Sequence, residues 1–296
     1  ILQNEFADIE AVNVWGGEDH TTPDYGKVYV SIKPLSADVL TATQKETIIT
    51  NILKPKNVVS ITPVLVDPDY TYIDLEIFFK YNPNLATVTA SGLATEIRSA
   101  LIAYNTDILK GFGGVFRASN VVQKIDATNI AVLSNVTRVK MTKKVTPTLG
   151  TATAYSLKFN QALTDLDATS GTTGAYVTST MFTYSDVQCM LKDYYDTSTE
   201  SRIIQIVDAG GLIYDTNAGS VNESTGTVTL TSFNPTALPT GATTIDVTVK
   251  PASTDVSPTR NELLAINTSG AAISGEIDTM ATGGTTAGID YTTVSS

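Results

Sequence analysis

The sequence predicts an α+β fold: a ferredoxin-like split βαβ domain, with helices on one face of a sheet, followed by an all-β, sandwich-like domain. Three observations lead there. Residues 28–145 read as β-α-β-β-α-(α)-β, each strand with one apolar face and each helix with one apolar stripe, so two layers suffice. Helical periodicity then almost disappears, and short apolar runs separated by Gly, Asn, Asp, Pro and Thr take over. At 296 residues the chain can also bury the cores of two or three domains.

The elements follow in order. Val28, Val30 and Ile32 alternate with Tyr29, Ser31 and Lys33, the period of a half-buried strand. A helix is expected from about Thr43 to Leu53, where Thr43 and Glu46 have capping-box spacing and Lys54-Pro55 supplies the stop. A strand over 58–66 and a turn at Asp67-Pro68-Asp69 come next. The clearest strand has Ile73, Leu75, Ile77, Phe79 and Tyr81 on one face and Asp74, Glu76, Phe78 and Lys80 on the other. Leu93, Ile97, Leu101, Tyr104 and Ile108 stripe a helix over 89–109. A short helix over 119–127 and a strand over 130–143 complete the first domain.

Residues 146–154 are small and polar and read as a linker. Strands are expected over 155–159, 187–194, 202–207, 212–215, 227–230 and 244–249, with turns at Asp208-Ala-Gly-Gly and Glu223-Ser-Thr-Gly. A domain over 155–256 results. Residues 261–266 read as a short helix, and the remainder of 257–296 as an extended polar segment ordered only against the domain or a partner. Residues 1–27 read as the end of a preceding domain plus a loop. The chain begins at Ile1, and residues 7–12 resemble the tail of an earlier element, so a fragment of a longer protein is expected.

Charge is unevenly distributed. Residues 1–150 hold 14 Lys and Arg against 15 Asp and Glu; residues 151–296 hold 5 against 15. An acidic second half repels phosphate backbones, so nucleic acid is not an expected partner. No run of 18 apolar residues is present, and no membrane partner is expected. The single cysteine, Cys189, permits no internal disulfide.

The most informative stretch runs from Val14 to Pro34. It contains the only Trp and the only His, and it turns through Gly16, Gly17, Glu18, Asp19, Pro23, Tyr25, Gly26 and Lys27 into a strand ending Lys33-Pro34. This string resembles a signature of the J-like baseplate proteins of contractile-tailed phages, whose T-even-type member is a large wedge subunit of the inner baseplate ring. Residues 89–109, 111–116 and 257–266 are similar to that subunit's C-terminal portion. The resemblance implies a structural virion protein made in the host cytoplasm and placed in the tail baseplate. It would self-associate as a homodimer or ring, bind other wedge subunits and help control sheath contraction.

Candidate chemistry is thin. His20 near Glu18, Asp19 and Asp24 could hold a metal, but a solvated acidic turn is the simpler reading. Gly111-Phe-Gly-Gly114 lacks the Lys-Ser/Thr ending of a P-loop and follows a helix, which favours a helix cap. Asp67/Asp69 and Asp165/Asp167 could pair in a glycosidase, though turn aspartates are expected there. No enzyme activity, cofactor, metal or small-molecule substrate is expected. Trp15 reads as an apolar anchor over the loop. Arg138, Lys140, Lys143 and Lys144 form the one basic cluster, either a solvated sheet face or a docking patch for an acidic surface. The rival function is a secreted or virion-surface carbohydrate-binding adhesin, suggested by Thr-rich, acidic β structure.

Overall fold

The computed structural model describes residues 8–19, 23–56, 61–164 and 176–281. β1 (Ala11–Gly16) leads through a 3-10 turn into β2 (Lys27–Lys33). α1 (Ala42–Thr47) continues as a π-turn over Ile48–Leu53, and β3 (Thr62–Val66) and β4 (Asp69–Tyr81) follow. α2 (Ala90–Ile108), α3 (Ala118–Asp126) and β5 (Val132–Val145) come next. The remaining elements are strands: β6 (Thr153–Lys158), β7 (Val177–Ser179), β8 (Phe182–Tyr184), β9 (Val187–Asp196), β10 (Ser201–Asp208), β11 (Ile213–Asn222), β12 (Thr227–Phe233), β13 (Ile245–Val249), β14 (Glu262–Ile266) and β15 (Ala272–Ile277). The fold is α+β and mostly β.

The chain forms two units, neither of them contiguous. The first comprises residues up to Thr71 with 106–116 and 257–265. Here β2 is central, antiparallel to β1 and parallel to β3. Ile9, Val30, Ile32, Leu40, Ile48 and Ile52 form its core. Ser31 is buried too, because a central strand is covered on both faces. Thr41, not Thr43, caps α1: its hydroxyl accepts from the Gln44 amide while the Gln44 side chain accepts from the Thr41 amide. The capping box therefore lies two residues earlier than expected. In the π-turn, Ile48 and Ile52 both reach the core.

The four strands expected in one ferredoxin-like sheet are divided between two sheets. β2 and β3 lie in a three-stranded sheet with β1, whereas β4 and β5 pair with each other in a larger one. Period-two alternation identifies which face of a strand is buried, not which strand lies beside it. Pro63 lacks an N–H, which suits the edge position of β3. The sequence also misreads residues 261–266 as a helix: Glu262–Ile266 form strand β14. Glu262, Leu263, Leu264 and Ile266 are all buried, and an apolar run this short does not distinguish a buried strand from a helix. Glu262 is held in the interior of the first unit by hydrogen bonds from Thr71 Oγ1 and from the amide and hydroxyl of Thr259.

In the second unit, neighbouring strands run β4-β5-β13-β7-β9-β10-β11-β12-β6, with β8 on β9 and β15 on β4. The region read as a linker between domains falls inside this unit, since β5 pairs directly with β13. Ile73, Leu75, Ile77 and Phe79 of β4 are buried with Leu93, Ile97, Leu101 and Tyr104 of α2 and Val121 and Ile125 of α3. Farther along, the sheet curls. Phe182 of β8 meets Phe233 of β12 edge-on at 5.0 Å, although β9, β10 and β11 separate their strands.

A buried ion network closes this β region. The Arg202 guanidinium donates through Nη1 to Asp193 and through Nε to Glu223 Oε1 at 2.5 Å. The other oxygen of Asp193 accepts from the amides of Tyr176 and Val177, so the strand entering β7 is tied to β9 and β10. The Tyr176 and Tyr195 rings flank the guanidinium at 5.6 Å. Asp193→Ala would strand Arg202 at 3 % side-chain exposure. The expected loss is about 3–5 kcal/mol by denaturant unfolding, whereas Glu223→Gln, at a partly exposed position, costs less.

Candidate functional site

The loop joining β1 to β2 is built around one carboxylate. Asp24 accepts from Tyr29 Oη at 2.7 Å and pairs with Lys27 Nζ at 2.8 Å. Its amide donates to the Gly17 carbonyl at 2.9 Å, closing the loop across its base. A Cβ on Gly17 would collide with the Asp24 carbonyl oxygen, so this position excludes any side chain. Gly26 has φ +79°, the left-handed turn conformation that glycine adopts without penalty, and its carbonyl accepts from the Thr62 amide at 2.7 Å. Trp15 and Tyr29, opposite each other across β1 and β2, stack with centroids 5.8 Å apart.

Charge reinforces this frame. Hydrogen bonding to Asp24 raises the pKa of the Lys27 ammonium, with the carboxylate's charge adding to the effect. The same carboxylate, through its hydrogen bond, raises the Tyr29 phenol. Asp19 pairs with Arg260 at 2.5 Å, and Asn13 donates to the Arg260 carbonyl, so residues 257–265 brace the loop within the first unit. Arg260 and Asn13 were not singled out by the sequence reading. Their signal was indirect: Arg260 lies in the similar segment 257–266. Pro23, Glu18 and especially Tyr25 (79 % exposed) face solvent.

The four basic residues on β5 do not form one patch. Arg138, Lys140 and Lys144 project from one face, while Lys143 lies on the opposite, buried face at 3 % exposure and cannot dock a partner. Odd-numbered Val139, Met141, Lys143 and Val145 share that inner face, which is the reason. Glu76, paired across the strands with Arg138, binds Lys140 Nζ at 2.5 Å and lies 4.0 Å from Arg138 Nη1. Lys144 sits 4.4 Å over the Tyr72 ring. Arg138 has 78 % of its side chain exposed.

Residues 1–66 match the family described as baseplate structural protein gp6, C-terminal domain I, and residues 69–144 match its C-terminal domain III. Two stretches of this chain are thus similar to C-terminal domains of the baseplate structural protein gp6. One relative, baseplate wedge protein gp6 of Enterobacteria phage T4, is 27 % identical over 164 residues, covering 55 % of this chain and 24 % of that protein. The chain thus spans about a quarter of the length of that curated relative. The Asp24 loop falls in the part matching domain I, and β4 and β5 fall in the part matching domain III.

The other candidates resolve as structural features where they are described. Asp67 pairs with Lys45 at 2.6 Å, and its carbonyl accepts from Asn261. Gly113 has φ +85° and Gly114 abuts the Ile108 carbonyl, so this glycine run makes the turn that ends α2. Cys189 is buried in β9, and burial raises its thiol pKa. His20, Asp165 and Asp167 lie outside the described residues. Among the described residues, no group of three or more His, Cys, Asp and Glu side chains could hold a metal ion, and no helix is long and apolar enough to cross a membrane.

Two expectations follow. Trp15 is the only tryptophan, so its near-UV circular dichroism reports on the loop. Gly17→Ala should abolish the stacked Trp15–Tyr29 signal and cost about 1–3 kcal/mol through backbone displacement. Gly16→Ala should be milder, because only the movable Glu18 carboxylate obstructs it. For Glu76, the Lys140 hydrogen bond foremost holds the pKa below the ordinary glutamate value. A lowered carboxylate pKa stabilises the fold above the unfolded-state pKa, and that contribution fades as pH falls through the folded-state value. Because Glu76 is 42 % exposed, solvent screening limits the contribution to less than about 1 kcal/mol. Glu76→Gln should therefore lower Tm slightly at pH 7 and leave it unchanged in acid below the lowered value.

Proposed function

We propose that this chain is a structural element of a contractile-tail baseplate wedge, located in the virion and acting through its surfaces without catalysing a reaction. The observation that carries the reading is the Asp24 loop. Its internal groups are consumed in holding its shape, while Tyr25, Pro23 and Glu18 are presented outward, in a region matched by a family of baseplate structural proteins. A rigid frame with exposed tips suits recognition, because little freedom is lost when a partner binds.

The chain self-associates and docks other wedge subunits, joining wedges into the inner ring that restrains the sheath. Such a ring must admit two packings of similar energy for the baseplate to change shape. The Tyr25 tip, the Arg138 end of the basic face and the polar C-terminal region are the proposed contact surfaces. Glu76 partly neutralises Lys140 and Arg138 on that face, so association should depend on salt only weakly. Light scattering across concentration, and electron microscopy of mixtures with the other wedge subunits, test the reading. Dimers or larger species, and decorated assemblies lost in Tyr25→Ala at unchanged Tm, are the expected outcome. A chain that stays monomeric and ignores every wedge subunit overturns it.

A further inference from the structure

We propose that β15 is a replaceable strand, and that the β4 edge from Glu76 to Tyr81 is a strand-acceptor site open to an extended peptide with a glycine placed over Phe79. This inference is independent of the assembly reading. β15 runs parallel to β4 in the register Ala272 to Glu76 through Ile277 to Tyr81, and it pairs with no other described strand. A backbone bond extends the ladder at its far end, Asp278 N to Tyr81 O at 2.9 Å, and Asn267 N to Ile73 O at 3.0 Å ties down the segment that precedes β15.

The side chains contribute little to this attachment. Five of the six β15 residues are exposed, and only Ile273 is half-buried. Clefts flank the strand on both faces. One of about 490 Å³ lies among Glu76, Phe78, Val136, Arg138, Ala272 and Ser274. Another, of about 310 Å³, lies between β15 residues Ile273 and Gly275 and α2 residues Ala90, Ala94 and Arg98. Empty space beside a strand means lost dispersion contacts, so backbone hydrogen bonds carry most of its attachment. A strand held this way belongs to the low-stability end of local opening.

Three features give the acceptor site its specificity. A Cβ at position 275 would run into the Phe79 ring, so glycine is required there. Ile273, two residues earlier, is half-buried and faces the cleft beside α2. Arg98 clamps the approach by donating to the Thr268 and Ala271 carbonyls, the latter at 3.1 Å, while Asn267 Nδ2 donates to Asp74 at 2.8 Å. The site therefore recognises a parallel strand bearing an aliphatic residue, one spacer and a glycine. When β15 opens, the edge of β4 offers the same backbone groups to any such segment.

Hydrogen exchange on the full chain and a binding measurement test this together. In the unaltered chain, amides of residues 273–278 should exchange roughly 100-fold faster than those of β5 and β13. Arg98→Ala should accelerate residues 268–278 a further tenfold or more, with β5 and β13 unchanged. A labelled synthetic peptide covering Ala271–Asp278 should bind the Arg98→Ala chain more tightly than the unaltered one, and the same peptide with Gly275→Val should not bind. Exchange of β15 only together with β5 in the unaltered chain overturns the proposal. So does a peptide that fails to bind the opened variant, or one that binds equally well with valine at position 275.

Discussion

The strict alternation along β4 is the constraint on which the second unit depends. Ile73, Leu75, Ile77 and Phe79 are essentially inaccessible, and each intervening side chain faces the other side of the sheet. Burial of the inner four fixes the register against β5, because a slip of one residue would bring Asp74, Glu76 and Lys80 into the core. That register places Glu76 opposite Arg138 and beside Lys140, which neutralises part of the basic face. It also sets the Phe79 ring under Gly275 and so dictates which strand the outer edge accepts.

Polar groups elsewhere serve geometry. Asp24 shapes a surface loop, Glu262 holds residues 257–265 in the first unit, and Asp193 with Arg202 ties the segment entering β7 to β9 and β10. All three carboxylates accept from backbone amides, hydroxyls or cations within their own unit. For the buried Glu262 and Asp193, a charge satisfied in this way specifies one arrangement, since breaking the set leaves an uncompensated ion.

Much of the local structure was legible in the sequence. Leu93, Ile97, Leu101, Tyr104 and Ile108 were expected on one stripe of α2; the first four are buried, whereas Ile108, the last residue of the helix, is exposed. The strands β9, β10, β12 and β13 stand close to their expected positions because alternation and turn residues act over short spans. The anchor role of Trp15 could also be read, since a lone indole beside two glycines has few other apolar partners. Short β7 and β8 were missed, being three residues each and lacking a full period.

By itself, then, the sequence determined which faces are apolar, where turns fall and that the fold is α+β, because these depend on neighbours a few residues apart. Only the tertiary structure decided which strands share a sheet, that residues 262–266 extend instead of coiling, that Lys143 is buried while Arg138 is exposed, and that Arg260 reaches the loop at Asp19. Those outcomes rest on pairings between residues scores to hundreds of positions apart. A two-residue period or a capping motif carries no information about such distant partners.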